Sequence, residues 1–116
     1  AGSFAITAKS LTINPTVGQT KVYGDDDPVG GFTYGNTGLV NGVTPQYWNT
    51  SGNYVNATTI NDTVSGFLGR AAGENVNTYA YSLGTVAASA PSNYTTSLTA
   101  GSFAITAKSL TINPTV

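Results

Sequence analysis

Two segments of this 116-residue chain are identical over 17 residues. Residues 1–17 and residues 100–116 both read AGSFAITAKSLTINPTV, so the second copy begins 99 residues after the first. Such strict identity does not arise by chance, and self-similarity at a fixed period is typical of repeat architectures. We therefore predict that the chain is part of a tandem array with a 99-residue period; the alternative is an engineered duplication of the two ends.

The repeated segment also indicates where one unit of the array ends and the next begins. In Ser102–Thr106 the large apolar side chains occupy odd positions, whereas in Ser109–Asn113 they occupy even positions. Strand side chains alternate between two faces, so this change of phase indicates a change of face and of hydrophobic core. The change falls at Ala107 and Lys108, where there is no Gly or Pro, which predicts a stiff joint.

This change of phase divides the chain into three predicted parts. They are the last strand of a preceding repeat, one complete β repeat domain and the first strand of a following repeat, at residues 1–7, 8–107 and 108–116. Loop closure favours Ser102–Thr106 over its N-terminal copy as the strand that completes the domain, because its connection to the strand before it is short. We therefore expect Phe4 and Ile6 to lack a core, and Leu110 and Ile112 to lack one as well.

Short strands separated by turns dominate the chain. The clearest is Asn77–Leu83, in which two tyrosines and a leucine are predicted to point inward between small or polar residues. Further strands are predicted at residues 11–14, 19–23, 31–34, 54–60, 93–98 and 102–106. No stretch has the period of a long helix, and the one candidate for a helical turn is Thr44–Trp48. This pattern predicts an all-β fold, a small immunoglobulin-like sandwich of short strands.

The composition excludes several kinds of chemistry. The chain has no Cys, hence no disulfide or thiol nucleophile, and no His, the commonest general base and zinc ligand. With 4 Lys+Arg and 5 Asp+Glu there is little material for an acid–base site, so we expect no enzyme. A net charge of −1 predicts no nucleic-acid partner, and no apolar run approaches the roughly 20 residues that membrane insertion needs.

The only concentrated charge is the run Asp25, Asp26 and Asp27. Three carboxylates in one loop can hold Ca²⁺ through oxygen ligands, although the spacing is not that of an EF-hand. The favoured interpretation is a turn with ion pairs, because Asp stabilises turns by bonding its own backbone. The available cations are Lys21 and Arg70, and their natural partners are Asp27 and Glu74. Apart from this weak Ca²⁺ alternative, no cofactor is expected.

An aromatic segment is the best candidate for ligand binding. Residues 44–54 hold the only Trp, Trp48, with Tyr47 and Tyr54 among polar residues. Aromatic side chains in a polar loop often stack on sugars or contact a partner. The alternative is that Trp48 closes one end of the sandwich. A buried indole favours a structural role for the repeat, and an exposed cluster favours binding.

Residues 75–79, NVNTY, resemble the turn before a late strand in immunoglobulin-like domains. In that turn a tyrosine hydroxyl bonds nearby backbone, a role that Tyr79 would take. The alternative is that Tyr79 is an ordinary core residue.

Five short motifs together resemble those of one known family. Residues 21–28 read KVYGDDDP, residues 38–42 GLVNG and residues 70–79 RAAGENVNTY. They are similar to the K-x-Y-G-D-x-D-P, G-L-V-N-G-D and R-x-x-G-E-N-V-G-x-Y motifs of the MBG repeat domain (YGX type) of bacterial surface proteins. Residues 92–94, SNY, and residues 103–106, FAIT, resemble the N-Y step and the closing strand that follow.

Two departures from the family pattern stand out. Asn77 replaces a usual Gly, and residues 43–63 are longer than the usual stretch, which indicates an insertion. The resemblance assigns structural roles to four motif residues, which are Tyr23, Arg70, Glu74 and Tyr79.

The resemblance implies an extracellular repeat on a bacterial cell surface. The family occurs as stacked repeats in large exported adhesins and filamentous haemagglutinin-like proteins, which links it to cell adhesion and biofilm. We expect a stiff stalk that projects a binding tip, with neighbouring repeats of the same chain as partners. The alternative is a binding module that contacts host or matrix glycans, or adhesins of other cells, through Tyr47, Trp48 and Tyr54.

Overall fold

The structure is a computed structural model that describes residues 2–116. It is an all-β sandwich of short strands, as predicted, and the longest strand has seven residues. The strands are β1 Lys9–Pro15, β2 Thr20–Val22, β3 Tyr34–Thr37, β4 Asn41–Val43, β5 Gln46–Trp48, β6 Tyr54–Asn56, β7 Ile60–Asn61, β8 Val64–Ser65, β9 Gly69–Arg70, β10 Asn77–Ser82, β11 Ala87–Ala88, β12 Tyr94–Leu98 and β13 Ser102–Thr106. A 3₁₀ turn at Pro91–Asn93 precedes β12.

Two sheets build the sandwich. One has the order β12-β1-β3, with β12 parallel and β3 antiparallel to β1. The other has the order β2-β13-β10-β9, with β2 parallel to β13 and the remaining neighbours antiparallel. The β4–β7, β5–β6 and β8–β11 pairs form separate two-stranded ribbons. The first and last strands of the domain therefore lie in different sheets.

Both sheets contribute to one hydrophobic core. Leu11 and Ile13 of β1 and Phe103 and Ile105 of β13 are the largest fully buried side chains. Phe32 packs against the β2-β13-β10-β9 sheet, with its ring centroid 5.1 Å from that of Tyr81 and 4.9 Å from that of Phe103. The alternation predicted for Asn77–Leu83 is confirmed, since Tyr79 and Tyr81 are buried and Leu83 partly buried while their neighbours are exposed.

The two copies of the repeated strand differ completely in their surroundings. Phe103 and Ile105 are 0% and 2% exposed, whereas the identical Phe4 and Ile6 are 91% and 90% exposed. The expectation that the N-terminal copy lacks a core is confirmed. Residues 107–116 likewise lie outside the sheets and carry an exposed Leu110 and Ile112.

Three local predictions were wrong. The strand expected at residues 31–34 lies at Tyr34–Thr37, because Gly30 and Gly31 have φ of 91° and 88° and form a turn. The strand expected at 54–60 is two strands, since β6 pairs with β5 and β7 pairs with β4. The candidate helical turn at Thr44–Trp48 is the start of the β5–β6 hairpin.

The described chain measures 93 × 25 × 17 Å, and its radius of gyration is 22.2 Å. A compact domain of this length would have a radius of gyration of about 13 Å. The segments before β1 and after β13 extend from the sandwich and add to its length. Residues 2–116 contain no helix that is long and apolar enough to cross a membrane.

Candidate functional site

Four charged side chains from separate parts of the chain meet at the β2–β13–β10–β9 sheet. Lys21 lies on β2 and Arg70 on β9, while Asp27 and Glu74 come from the loops that follow these two strands. The two cations are buried, with side chains 6% and 9% exposed, and the two carboxylates are more accessible. The pairing predicted from sequence is therefore present, and we call these four residues the ion-pair ring.

Each cation in the ring contacts both carboxylates. Lys21 Nζ lies 2.9 Å from Asp27 Oδ1 and 2.6 Å from Glu74 Oε1. Arg70 donates from Nε to Asp27 Oδ2 at 2.8 Å and from one terminal nitrogen to Glu74 Oε2 at 2.6 Å. Arg70 and Glu74 are four residues apart without a helix between them, so tertiary structure brings them together, as expected.

Arg70 uses its whole donor set. One terminal nitrogen bonds Asp27 and Glu74, the other bonds the carbonyls of Ala71 and Gly73, and Nε bonds Asp27. A guanidinium has five N–H donors, so none remains for a ligand. Its carbon also lies 5.0 Å from the ring centroid of Tyr79, a cation–π distance.

The ring shifts the protonation equilibria of its members toward the charged forms. Hydrogen bonds from Arg70 lower the pKa of Asp27 to about 2 against desolvation, with help from Lys21. Hydrogen bonds from Lys21 and Arg70 also lower the pKa of Glu74. Hydrogen bonds to Asp27 and Glu74 raise the pKa of Lys21. Groups held charged in this way neither donate nor accept protons near neutral pH, so the ring is suited to fixing structure rather than to acid–base chemistry.

The turn before β10 is locked next to the ring. Tyr79 Oη donates a 2.6 Å hydrogen bond to the carbonyl of Asn75, the tyrosine–backbone contact predicted for this turn. Gly73 packs so closely that a Cβ there would lie 2.6 Å from the Tyr79 ring, and its φ of +141° disfavours other residues. Asn77 has no positive φ and simply begins β10, so its replacement of Gly leaves the turn intact.

The acidic run does not assemble into a metal site. Asp27 is a member of the ion-pair ring, whereas the exposed side chains of Asp25 and Asp26 make no ion pair or hydrogen bond with residues 2–116. Residues 2–116 contain no group of three acidic, His or Cys side chains placed to hold a metal ion. Asp27 instead has two cationic partners, Lys21 and Arg70, which is the ion-paired turn favoured from the sequence.

The three predicted ligand-binding aromatics lie on the β5–β6 hairpin, and all are exposed. Trp48 is 71%, Tyr54 55% and Tyr47 50% exposed. Trp48 pairs with Tyr54 across the hairpin, with ring centroids 5.0 Å apart. Tyr47 pairs with Val55 and so belongs to the other face of the ribbon. Trp48 does not close an end of the sandwich, and we call this element the aromatic hairpin.

A second polar cluster was missed by sequence reasoning. Tyr94 Oη donates to Asp62 Oδ2 at 2.6 Å and accepts a 3.0 Å hydrogen bond from the Val40 amide. Desolvation and the hydrogen bond to Asp62 raise the pKa of Tyr94. The residues come from β12 and two distant loops. Tyr94 lies in the N-Y step and Val40 in the GLVNG motif, but no motif included Asp62.

A family model described as MBG domain (YGX type) matches residues 11–104, which is most of the chain. The chain belongs to the MBG domain (YGX type) family. No curated relative and no solved structure matches it at a significant level.

The motifs that carry the MBG resemblance are the residues that lock the fold. Lys21 and Asp27 belong to the KVYGDDDP motif, and Arg70 and Glu74 belong to the RAAGENVNTY motif. All four form the ion-pair ring, and Tyr79 closes the turn beside it. Tyr23, the tyrosine of the first motif, extends the sheet by donating its amide to the Thr106 carbonyl at 2.8 Å, and its side chain is half exposed. These motif residues thus contact one another and join the loops to the β2-β13-β10-β9 sheet.

Proposed function

We propose that this MBG domain is a structural repeat of a large adhesin on the bacterial cell surface. Such repeats stack end to end in the extracellular space and project a binding tip for cell adhesion and biofilm formation. The repeat carries no catalysis, and its regular partners are neighbouring repeats of the same chain.

One observation carries this proposal. The last strand of the domain, β13, ends at Thr106, and Lys108 is the counterpart of the first residue of β1. Only Ala107 therefore separates the last strand of one unit from the first strand of the next. A linker of one residue without Gly or Pro leaves two folded units little freedom to bend, which is what a stalk requires.

The ion-pair ring supports the same role. Chains outside the cell meet variable conditions, and this ring links the acidic loop to the sheet without a disulfide or a metal. Its groups are occupied by one another, so it offers no chemistry to a substrate.

Small-angle scattering tests the stalk directly. The chain is lengthened by one 99-residue period and compared with the original chain. We expect the maximum dimension to grow by nearly the full length of one folded repeat. A matched variant with a flexible Gly-Ser insertion after Ala107 should give a broader and shorter distance distribution. A broad, bent distribution without that insertion would overturn the proposal.

A second candidate function is a carbohydrate-binding β module. The observation that favours it is the exposure of Trp48 and Tyr54, whose neighbouring rings offer a surface on which a sugar can stack. Host or matrix glycans, or glycosylated adhesins of other cells, would be the ligands.

Glycan-array binding with matched variants tests this second candidate. We expect a sugar ligand, if the module binds one, to be lost in Trp48→Ala and retained in Phe67→Ala. Phe67 is a suitable control because it is also an exposed aromatic residue, at 60%, and lies outside the aromatic hairpin. Equal binding by both variants would remove the aromatic hairpin from this function.

A further inference from the structure

The aromatic hairpin stands across an open cleft from the segment that leads into β1. Together with that segment it forms a mostly apolar cleft at the N-terminal end of the domain, lined by Phe4, Ile6, Pro45, Tyr47, Trp48 and Ile60. The hairpin is stiff, because Asn49 Oδ1 accepts hydrogen bonds from the Ser51 and Asn53 amides within its turn. The rings of Trp48 and Tyr54 contact each other across it, although most of their surface is exposed.

The repeated sequence tells which side of this segment a preceding repeat would occupy. Phe4 and Ile6 are the counterparts of Phe103 and Ile105, whose side chains point into the core of the domain. A preceding repeat with the same fold would enclose Phe4 and Ile6 in the same way. Its body must then lie on the side of the segment that carries these two side chains, which is the side that faces the aromatic hairpin.

The surface of the preceding repeat next to the joint can be located on this domain. Tyr23 follows β2 and donates its amide to the carbonyl of Thr106, the last residue of β13. It comes two residues after Lys21, which is paired with the inward-facing Ile105 of β13. Tyr23 is 49% exposed and lies beside the end of β13, from which the next repeat would continue.

We propose that the aromatic hairpin of each repeat docks on the end of the repeat before it, with Trp48 and Tyr54 packing next to Tyr23 of that repeat. The partner is thus a second copy of this sequence in the same chain, and the proposal rests on the tandem array proposed above. The contact joins apolar and aromatic surfaces across the one-residue joint, so it buries rings that are exposed in a single domain. It resists bending at the joint, since bending would uncover those rings.

Trp48 is the only tryptophan of each repeat, which gives a direct test. In the chain lengthened by one period, Trp48→Phe in the first repeat leaves the second-repeat indole as the only one. The matched control carries Trp48→Phe in the second repeat and leaves the first-repeat indole, which has no complete repeat before it. We expect acrylamide to quench the second-repeat indole about threefold less than the first-repeat indole, because docking removes it from solvent.

A second pair of variants tests the docking surface. Tyr23→Ser in the first repeat should restore full quenching of the second-repeat indole, whereas the same change in the second repeat should leave it protected. Protection that survives Tyr23→Ser in the first repeat would overturn the assignment of this surface. Equal quenching of the two indoles would overturn the docking itself.

Two further measurements separate this inference from the other functions. In one outcome, scattering shows that the lengthened chain is extended while the two indoles are quenched equally. That result would overturn the docking but leave the proposed stalk intact. In another outcome, both indoles are quenched equally and the quenching falls when mixed cello-, chito- and galacto-oligosaccharides are added. The aromatic hairpin would then bind a sugar and not the preceding repeat.

Discussion

Arg70 holds Asp27 by two hydrogen bonds, from Nε to Oδ2 at 2.8 Å and from a terminal nitrogen to Oδ1 at 3.1 Å. This fork-to-fork contact joins β9 to the loop after β2, 43 residues away in sequence. Bidentate arginine–carboxylate pairs are among the stronger polar contacts, and this one has Lys21 as a second cation on the same carboxylate. The acidic loop is thereby attached to the sheet that carries β13.

Removing the carboxylate of Asp27 should destabilise the fold. We expect Asp27→Asn to lower Tm by at least about 5 °C, because Lys21 and Arg70 would stay buried with Glu74 as their one remaining anionic partner. Asp26→Asn is the matched control in the same loop. The Asp26 side chain makes no ion pair or hydrogen bond with residues 2–116, so this variant should keep the Tm of the unmodified chain. Thermal unfolding followed by circular dichroism measures the Tm of both variants. An equal loss of Tm in the two would show that the ion-pair ring does not stabilise the fold.

The stabilisation from Asp27 should disappear in acid. Its pKa is about 2 in the folded chain and near 3.8 without the ring, so the unfolded chain takes up its proton first as the pH falls. The contribution is fully present above about pH 5 and is lost as the pH falls through 4 toward 2. We therefore expect the difference in Tm between the unmodified chain and Asp27→Asn to shrink over this range. A difference that stays constant down to pH 2 would contradict the lowered pKa.

Two buried tyrosines offer a matched pair of hydroxyl deletions. Tyr79→Phe removes the hydrogen bond to the Asn75 carbonyl and should cost about 1 kcal/mol in the free energy of unfolding. Tyr81→Phe removes a buried hydroxyl that has no partner, so it should leave this free energy unchanged or raise it. Urea denaturation measures both. A larger loss in Tyr81→Phe than in Tyr79→Phe would reverse the roles assigned to these hydroxyls.

Deleting residues 1–7 should barely affect the stability of the domain. Phe4 and Ile6 are almost fully exposed, so we expect Tm to change by less than about 2 °C, well under 1 kcal/mol for a domain near 100 residues. The deletion should also reduce self-association in sedimentation, because an unpaired strand with apolar side chains readily pairs with another chain. If the deletion unfolds the protein, residues 3–7 belong to the sheet of this domain and the unit boundary near residue 8 is wrong.

Sequence reasoning succeeded for side-chain alternation and for the few charged residues. The alternation around Tyr79 and Tyr81 predicted a buried face, and charge complementarity paired Lys21 and Arg70 with Asp27 and Glu74. It failed for short elements such as β8 and β11, whose two residues are strands only because a distant partner provides the hydrogen bonds. It also left open whether Trp48 was buried, since exposure depends on where the hairpin stands relative to the core.

The sequence by itself determined that this chain is β-rich, that a 17-residue segment recurs after 99 residues and that its charges are scarce enough to be paired with one another. Those properties follow from side-chain alternation, identity and composition, which need no coordinates. Only the tertiary structure decided that Phe103 enters the core while the identical Phe4 stays in solvent. The two strands have the same intrinsic preferences, and the difference arises because β2 and β10 supply hydrogen bonds and an apolar face to β13 alone.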